Sequence, residues 1–172
     1  YPGVPRQEEA AAGALAAYLR GRGVPAELVE VAEGRPNVMA TIEGKKPGPH
    51  LLFCGHLDTV PPNAGSSADF FSARVENGRV FGRGTVDMKG ALAAMAGALV
   101  DLKGAGGLDA GRVTLAAVID EEMESLGAEA LIRSGFKADG AVVGEPTENR
   151  VAVGHKGLEW LEVAFTGRAA HG

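Results

Sequence analysis

Apolar residues recur along this chain as short runs and helical stripes separated by glycine-rich and proline-rich turns. From Gln7 to Arg20, Ala11, Leu15, Tyr18 and Leu19 share one helical face, Glu8 and Glu9 suit the first turn, and Gly21 and Gly23 stop the helix. Leu28 to Val31 and Asn37 to Glu43 read as strands separated by a turn at Gly34-Arg35-Pro36, and Lys45-Lys46-Pro47-Gly48-Pro49 is a polar turn that cannot continue a ladder. His50 to Gly55 is a compact apolar run of the kind buried on both faces of a parallel sheet. Thr59 to Ala68 is a long loop without period, and Arg74 to Phe81 is a hairpin turning at Asn77-Gly78. Leu92, Met95, Ala96, Leu99 and Leu102 form one helical stripe that ends before Gly104. Val113 to Ile119 is a second buried strand, Leu126 to Ile132 a helix closed by Gly135, and Gly140 to Val143 a third strand.

Strands alternating with helices give an α/β organisation with a largely parallel sheet. The texture changes after Gly157, where Leu158 to Phe165 alternates as a half-exposed antiparallel strand would. Residues 1–157 are therefore expected to form one domain and residues 158–172 to begin a second. The chain opens on Tyr1 and stops at Gly172 just after that strand pattern, so it reads as a piece of a longer protein whose true amino terminus is not seen.

Composition narrows the partners. The 172 residues, 45% of them hydrophobic, can bury a core of their own. Seventeen basic against 22 acidic residues give a net charge of -5, which argues against nucleic acid or an anionic membrane surface. No apolar run approaches the length of a membrane span. Cys54 is the only cysteine, so an internal disulfide and a cysteine-based zinc cluster are both excluded, and any metal must be held by His and carboxylates. Within Leu51-Leu52-Phe53-Cys54 it reads as a small buried hydrophobe rather than a nucleophile.

Three apolar runs end on chemistry: His56 and Asp58 after the first, Asp120-Glu121-Glu122 after the second, Glu145 after the third. Carboxyl ends of parallel strands are where open α/β sheets build sites. His56 and Asp58, two apart on an extended segment, emerge on one side, so one imidazole nitrogen is free for a metal while Asp58 takes the N–H of the other. In Asp120-Glu121-Glu122 neighbouring side chains diverge, so one can ligate while another works as a base; Asp120 reads as a solvated helix entrance. A fourth group, Asp87, lies where Gly82-Arg83-Gly84 turns into a helix, a fixed position suited to a carboxylate that bridges two ions. A nucleotide loop fails on spacing, because Gly90 comes too late for a dinucleotide fingerprint and no Gly-Lys-Ser/Thr is present.

Gly55-His56-Leu57-Asp58-Thr59-Val60-Pro61, Gly82-Arg83-Gly84 with Asp87-Met88-Lys89-Gly90, Asp120-Glu121-Glu122, Gly144-Glu145-Pro146-Thr147 and Gly167-Arg168-Ala169-Ala170-His171-Gly172 occur in series. Together they resemble the zinc-dependent peptidase and deacylase family that includes acetylornithine deacetylase, succinyl-diaminopimelate desuccinylase, aminoacylase and glutamate carboxypeptidase. The resemblance implies a three-layer α/β/α sandwich with a mostly parallel mixed sheet, followed by an α+β lid or dimerisation domain. It implies two Zn²⁺ ions, with Co²⁺ or Mn²⁺ as substitutes: His56, Asp87 and Glu145 on one, Asp87 bridging to a second held by Glu122. Glu121 becomes the general base, Asp58 the partner of His56, and His171 an imidazole that reaches the other subunit of a homodimer and steadies the oxyanion. The Asp87-Met88 peptide is expected to be cis.

The substrate class so implied is a small N-acyl amino acid or peptide, and the expected address is cytoplasmic. The family's last ligand for the second zinc, a late histidine, and its substrate-carboxylate arginine have no match here. One zinc is thus expected to bind well and a second weakly, with little turnover by these 172 residues alone. A metal-binding relative with a purely structural or assembly role is the alternative, and Glu121 counts against it, because a module that only binds metal needs no base.

Overall fold

A five-stranded mixed sheet carries the fold, and its register sets the functional edge. The computed structural model describes residues 8–62, 68–157, 161 and 163–167. In chain order the elements are α1 (Glu8–Arg20), β1 (Ala26–Ala32), β2 (Arg35–Glu43), β3 (His50–His56), β4 (Arg74–Glu76), β5 (Arg79–Phe81), α2 (Lys89–Gly104), β6 (Arg112–Val118), α3 (Leu126–Arg133) and β7 (Gly140–Val143). The strand order is β1-β2-β6-β3-β7, with β4 and β5 pairing apart as a hairpin. β6, β3 and β7 are parallel, whereas β2 pairs antiparallel with both β1 and β6 and so alone runs against the rest.

The connection β3–α2–β6 crosses the sheet one way, and β6–α3–β7 returns across β3 the other way. Right-handed crossovers in opposite directions place α2 and α3 on opposite faces, which gives three layers. α1 packs against β1, β2 and α2, and so shares the α2 face. The core on that face joins Ala12, Ala16 and Leu19 of α1 and Leu92, Ala96 and Leu99 of α2 to Val38, Ala40 and Ile42 of β2 and Leu115 and Ala117 of β6. Burying each of the leucines contributes roughly 1.5–3 kcal/mol. The stripe read from the sequence of α2 is thus the buried one.

The other face is tied by polar groups. The His50 ring lies edge-on to Phe136, its Nδ1 is 2.7 Å from the Lys137 carbonyl, and its Nε2 is 2.8 Å from Thr114 Oγ1. His50 therefore locks the start of β7 to the sheet, at the edge opposite His56. At the entrance to α3, a Cβ on Gly127 would stand 2.4 Å from the Ile119 nitrogen and 2.5 Å from Asn37 Oδ1. Backbone cannot yield as a flexible side chain does, so Gly127→Ala is expected to cost about 3 kcal/mol, read as a lowered denaturant midpoint at constant slope.

Several sequence expectations change. The turn falls at Glu33-Gly34, and Arg35 and Pro36 already belong to β2. Pro36 pairs with Glu30 beside a register shift between Glu30 and Ala32, a bulge of the kind at which proline is found in strands. β7 has the expected bounds but is exposed throughout, and β3 is only half-buried along its middle. The strand expected from Leu158 to Phe165 is not formed at Leu161 or at residues 163–165, which are exposed, and residues 158–160 and 162 lie outside the described residues. Alternation encodes which face a strand would bury but supplies no partner to bury it against. Among the described residues no helix is long and apolar enough to cross a membrane.

Candidate metal centre

Parallel pairing lines up the strand ends. His56 is level with Val118, and Cys54 with Val143, so Glu145, two residues further on, comes level with His56. Asp87 arrives from the loop before α2, through an Asp87-Met88 peptide that is cis, as the resemblance implied. His56 Nε2 lies 3.0 Å from Asp87 Oδ1, 3.6 Å from Glu145 Oε1 and 3.8 Å from Glu121 Oε2. One donor atom each from His56, Asp87 and Glu145 falls within 4.8 Å of the other two.

Met88 explains why the motifs carry glycine where they do. Its side chain is fully buried, and a Cβ on Gly55 would meet its Cε at 2.5 Å, while one on Gly144 would meet it at 3.0 Å and Ala91 Cβ at 2.7 Å. Gly55 and Gly144 thus clear the floor beneath His56 and Glu145 for the residue that follows Asp87. Gly84, at φ +76°, has the left-handed backbone that glycine favours, and a Cβ there would come within 2.6 Å of Thr59 Cγ2. Lys89 Nζ donates to the Leu57 carbonyl at 2.7 Å and fixes the Asp87 loop to the end of β3.

Asp58 organises the ring and the acidic loop together. His56 Nδ1 is 3.1 Å from the Asp58 carbonyl and 3.4 Å from Asp58 Oδ1, so Nδ1 carries the hydrogen and Nε2 is the nitrogen facing the carboxylates. Asp58 Oδ1 and Oδ2 accept the backbone N–H groups of Glu121 and Glu122 at 3.1 and 3.0 Å. Burial works against the Asp58 charge, but the bonds from His56 and from these two N–H groups hold its carboxyl below the usual range. Burial likewise opposes a charged His56, yet its bonds to Asp58 and Asp87 outweigh this and push the ring up to about 9. Glu122 is raised by burial and by the Asp87 charge. Glu145 is raised by burial and, against the pull of His56, by Asp87 and Glu121.

Carboxylates that raise one another's pKa form a site that a divalent cation relieves. Tetrahedral ligands at zinc bond lengths stand roughly 3.3–3.6 Å apart. The separations at His56 Nε2, 3.0 and 3.6 Å, are of that order, and the donors are all imidazole nitrogen or carboxylate oxygen. His56, Asp87 and Glu145 could hold one ion; Glu122 feels the charges of Asp87 and His56.

Glu121 shares the cluster, whereas Asp120 does not. Asp120 is buried and bonded to Arg35 at 2.7 Å, which corrects its reading as a solvated helix entrance. The strand ends at Val118 and Asp120 takes a left-handed φ of 66°, so the alternation expected along Asp120-Glu121-Glu122 gives way to a turn. His171 lies outside the described residues. Cys54 is half-buried, and burial together with the Glu145 charge raises its thiol, against a role as nucleophile. Arg35 and Asn37, polar residues buried beside this loop, belong to no motif and carry no signal along the chain.

Comparison with known proteins supports the same chemistry. A sequence profile described as Peptidase family M20/M25/M40 matches residues 52–168. A probable succinyl-diaminopimelate desuccinylase of Staphylococcus epidermidis is 38% identical over 154 residues, 86% of this chain and 37% of the relative. The chain thus spans little more than a third of the length of that relative. The crystal structure of an M20 family metallo-carboxypeptidase from Sulfolobus solfataricus superposes with a TM-score of 0.63 at 27% identity, covering 79% of this chain and 32% of that one. A Bacillus subtilis protein described as a dinuclear metal binding peptidase from the M20 family shares the fold, with a TM-score of 0.53 at 20% identity over 78% of this chain and 36% of that one.

Proposed function

Because the chain belongs to peptidase family M20/M25/M40, we propose that it is the metal-binding part of a hydrolase that cleaves an amide bond in a small N-acyl amino acid or peptide. The observation that carries this is the meeting of His56, Asp87 and Glu145 donor atoms within 4.8 Å, with Glu121 beside them. His56, Asp87 and Glu145 would hold one ion, and Asp87 and Glu122 would contribute to a second. Zinc bound there, or Co²⁺ or Mn²⁺, would polarise the scissile carbonyl and lower the pKa of water.

The chain's own residues do the rest. Asp58 keeps the His56 ring in the tautomer that leaves Nε2 available and, through the Glu121 and Glu122 N–H groups, sets the height of the acidic loop. Glu121 accepts a proton from the attacking water and delivers it to the departing amine, which leaves a carboxylate and an amine as products. His171 is assigned to the oxyanion of a neighbouring subunit, in a homodimer whose second domain begins near residue 158. A cytoplasmic enzyme acting on no nucleic acid completes the proposal.

Metal removal tests it. Dialysis of the whole protein against a chelator is expected to abolish hydrolysis of N-acetyl and N-succinyl amino acids and of dipeptides, and zinc, cobalt or manganese to restore it. The 172 residues alone are expected to turn over little or nothing. Chelator-resistant turnover would remove the metal from the reaction, and the substrate series separates deacylase from peptidase.

A further inference from the structure

We infer that Arg35 and Asn37, at the start of β2, are positioning residues that hold the Glu121-Glu122 loop at the metal centre, an inference that rests on the function proposed above. The antiparallel register sets Val38 opposite Ala117, and continuing it three residues brings Arg35 level with Asp120. Both Arg35 and Asn37 are buried, at 8% and 2% exposure. Arg35 grips Glu8 at the first turn of α1 through Nε and Nη2, and the same Nη2 donates to Asp120 Oδ1 at 2.7 Å. Asp120 passes this on: its Oδ2 accepts the Glu124 N–H at 3.2 Å and its carbonyl the Ser125 N–H at 2.6 Å. Asn37 holds the flanks, accepting the Ile119 N–H at 3.0 Å and donating to the Gly127 carbonyl at 2.9 Å.

One strand therefore grips the loop at Ile119, Asp120 and Gly127, while Asp58 takes the Glu121 and Glu122 N–H groups from the other side. The backbone of the two acids is fixed from both directions. Asp120 and Ser125 both have left-handed φ, 66° and 57°, which residues with a Cβ keep only where their surroundings over-determine them. Stability alone does not account for a buried Glu8–Arg35–Asp120 cluster, because apolar residues of similar volume commonly serve as well or better. Fixing the height of a base does require it, since a shift of about 1 Å in a catalytic group can cost on the order of a hundredfold in rate.

The test uses Arg35→Lys in the whole protein, with Arg35→Met as the harsher variant and Leu19→Ala, a core change on α1, as the control for general destabilisation. Lysine keeps the charge but cannot reproduce the guanidinium fork. Arg35→Lys is expected to lower kcat by roughly ten- to a hundredfold, with KM and the zinc held by His56, Asp87 and Glu145 nearly unchanged, and Arg35→Met by more. Amide hydrogen exchange across residues 119–127 should accelerate on the order of tenfold or more in Arg35→Lys and not in Leu19→Ala. A kcat loss no larger than that of Leu19→Ala, or unchanged exchange in the loop, overturns the inference. If Arg35→Met does not fold, Arg35→Lys alone decides. Full activity of Glu121→Gln would instead overturn the assignment of the base, while the exchange result still reports whether Arg35 holds the loop.

Discussion

Glu121→Gln in the whole protein is expected to leave zinc bound and to lower kcat by roughly 10²- to 10⁴-fold. That loss corresponds to about 3 to 5 kcal/mol of barrier. Glutamine keeps the size and one acceptor oxygen of glutamate but takes up no proton near neutral pH, so the substitution removes the base and little else. Glu121 is not among the three residues whose donor atoms meet within 4.8 Å, and its N–H is bonded to Asp58 through the backbone, independently of the side chain. Steady-state kinetics together with the zinc content of the purified variant check the result. Unchanged turnover takes Glu121 out of the mechanism, and lost zinc would make it a ligand rather than a base.

Asp87→Ala should reduce zinc affinity by more than a hundredfold, the larger of the binding effects expected. Even the partners behind a ligand are worth about 10- to 100-fold, and Asp87 supplies the oxygen nearest His56 Nε2, at 3.0 Å, as well as the charge felt by both Glu122 and Glu145. A competition titration with a chromophoric chelator measures the loss. The same titration on the unmodified chain should depend on pH with a definite sign. Zinc binds the neutral imidazole, and His56, held at about 9, must first release its proton. Affinity therefore rises with pH, by up to about tenfold per unit below 9, and levels off above it. In Asp87→Ala the ring loses one of the bonds that raise it, and the levelling should begin at lower pH. A flat profile for the unmodified chain would show that His56 does not give up a proton to the metal.

The legible part of the fold is where pattern and turn chemistry agree. β7 falls at Gly140–Val143 as its short apolar run predicts, α2 buries the stripe of Leu92, Met95, Ala96 and Leu99, and the hairpin turns at Asn77-Gly78. The places that misled are those where a local signal was overruled by a partner far along the chain. Gly34-Arg35-Pro36 has the composition of a turn, but pairing with β1 and a bulge draw Arg35 and Pro36 into β2. Asp120 has the company of a solvated acidic run, but Arg35, 85 residues away, draws it inside. Leu158 to Phe165 is the opposite case: it has the alternation of a strand, but Leu161, Val163 and Phe165 are exposed rather than covered by a partner.

By itself the sequence determined the chemistry on offer: a single cysteine excludes a disulfide and a cysteine-based metal cluster, and the apolar runs ending at His56, Val118 and Val143 commit imidazole and carboxylates to follow them. Parallel strands then share an edge, because each helical crossover carries the chain back to start the next strand at the same end of the sheet. Only the tertiary structure decided which of those groups meet and which support them from behind. Nε2 rather than Nδ1 faces the carboxylates because Asp58 occupies the other nitrogen, and the Glu121-Glu122 loop is held where it is because β2 runs antiparallel to β6 and sets Arg35 beside Asp120. Such contacts depend on register and burial across the sheet, distances in space that spacing along the chain does not encode.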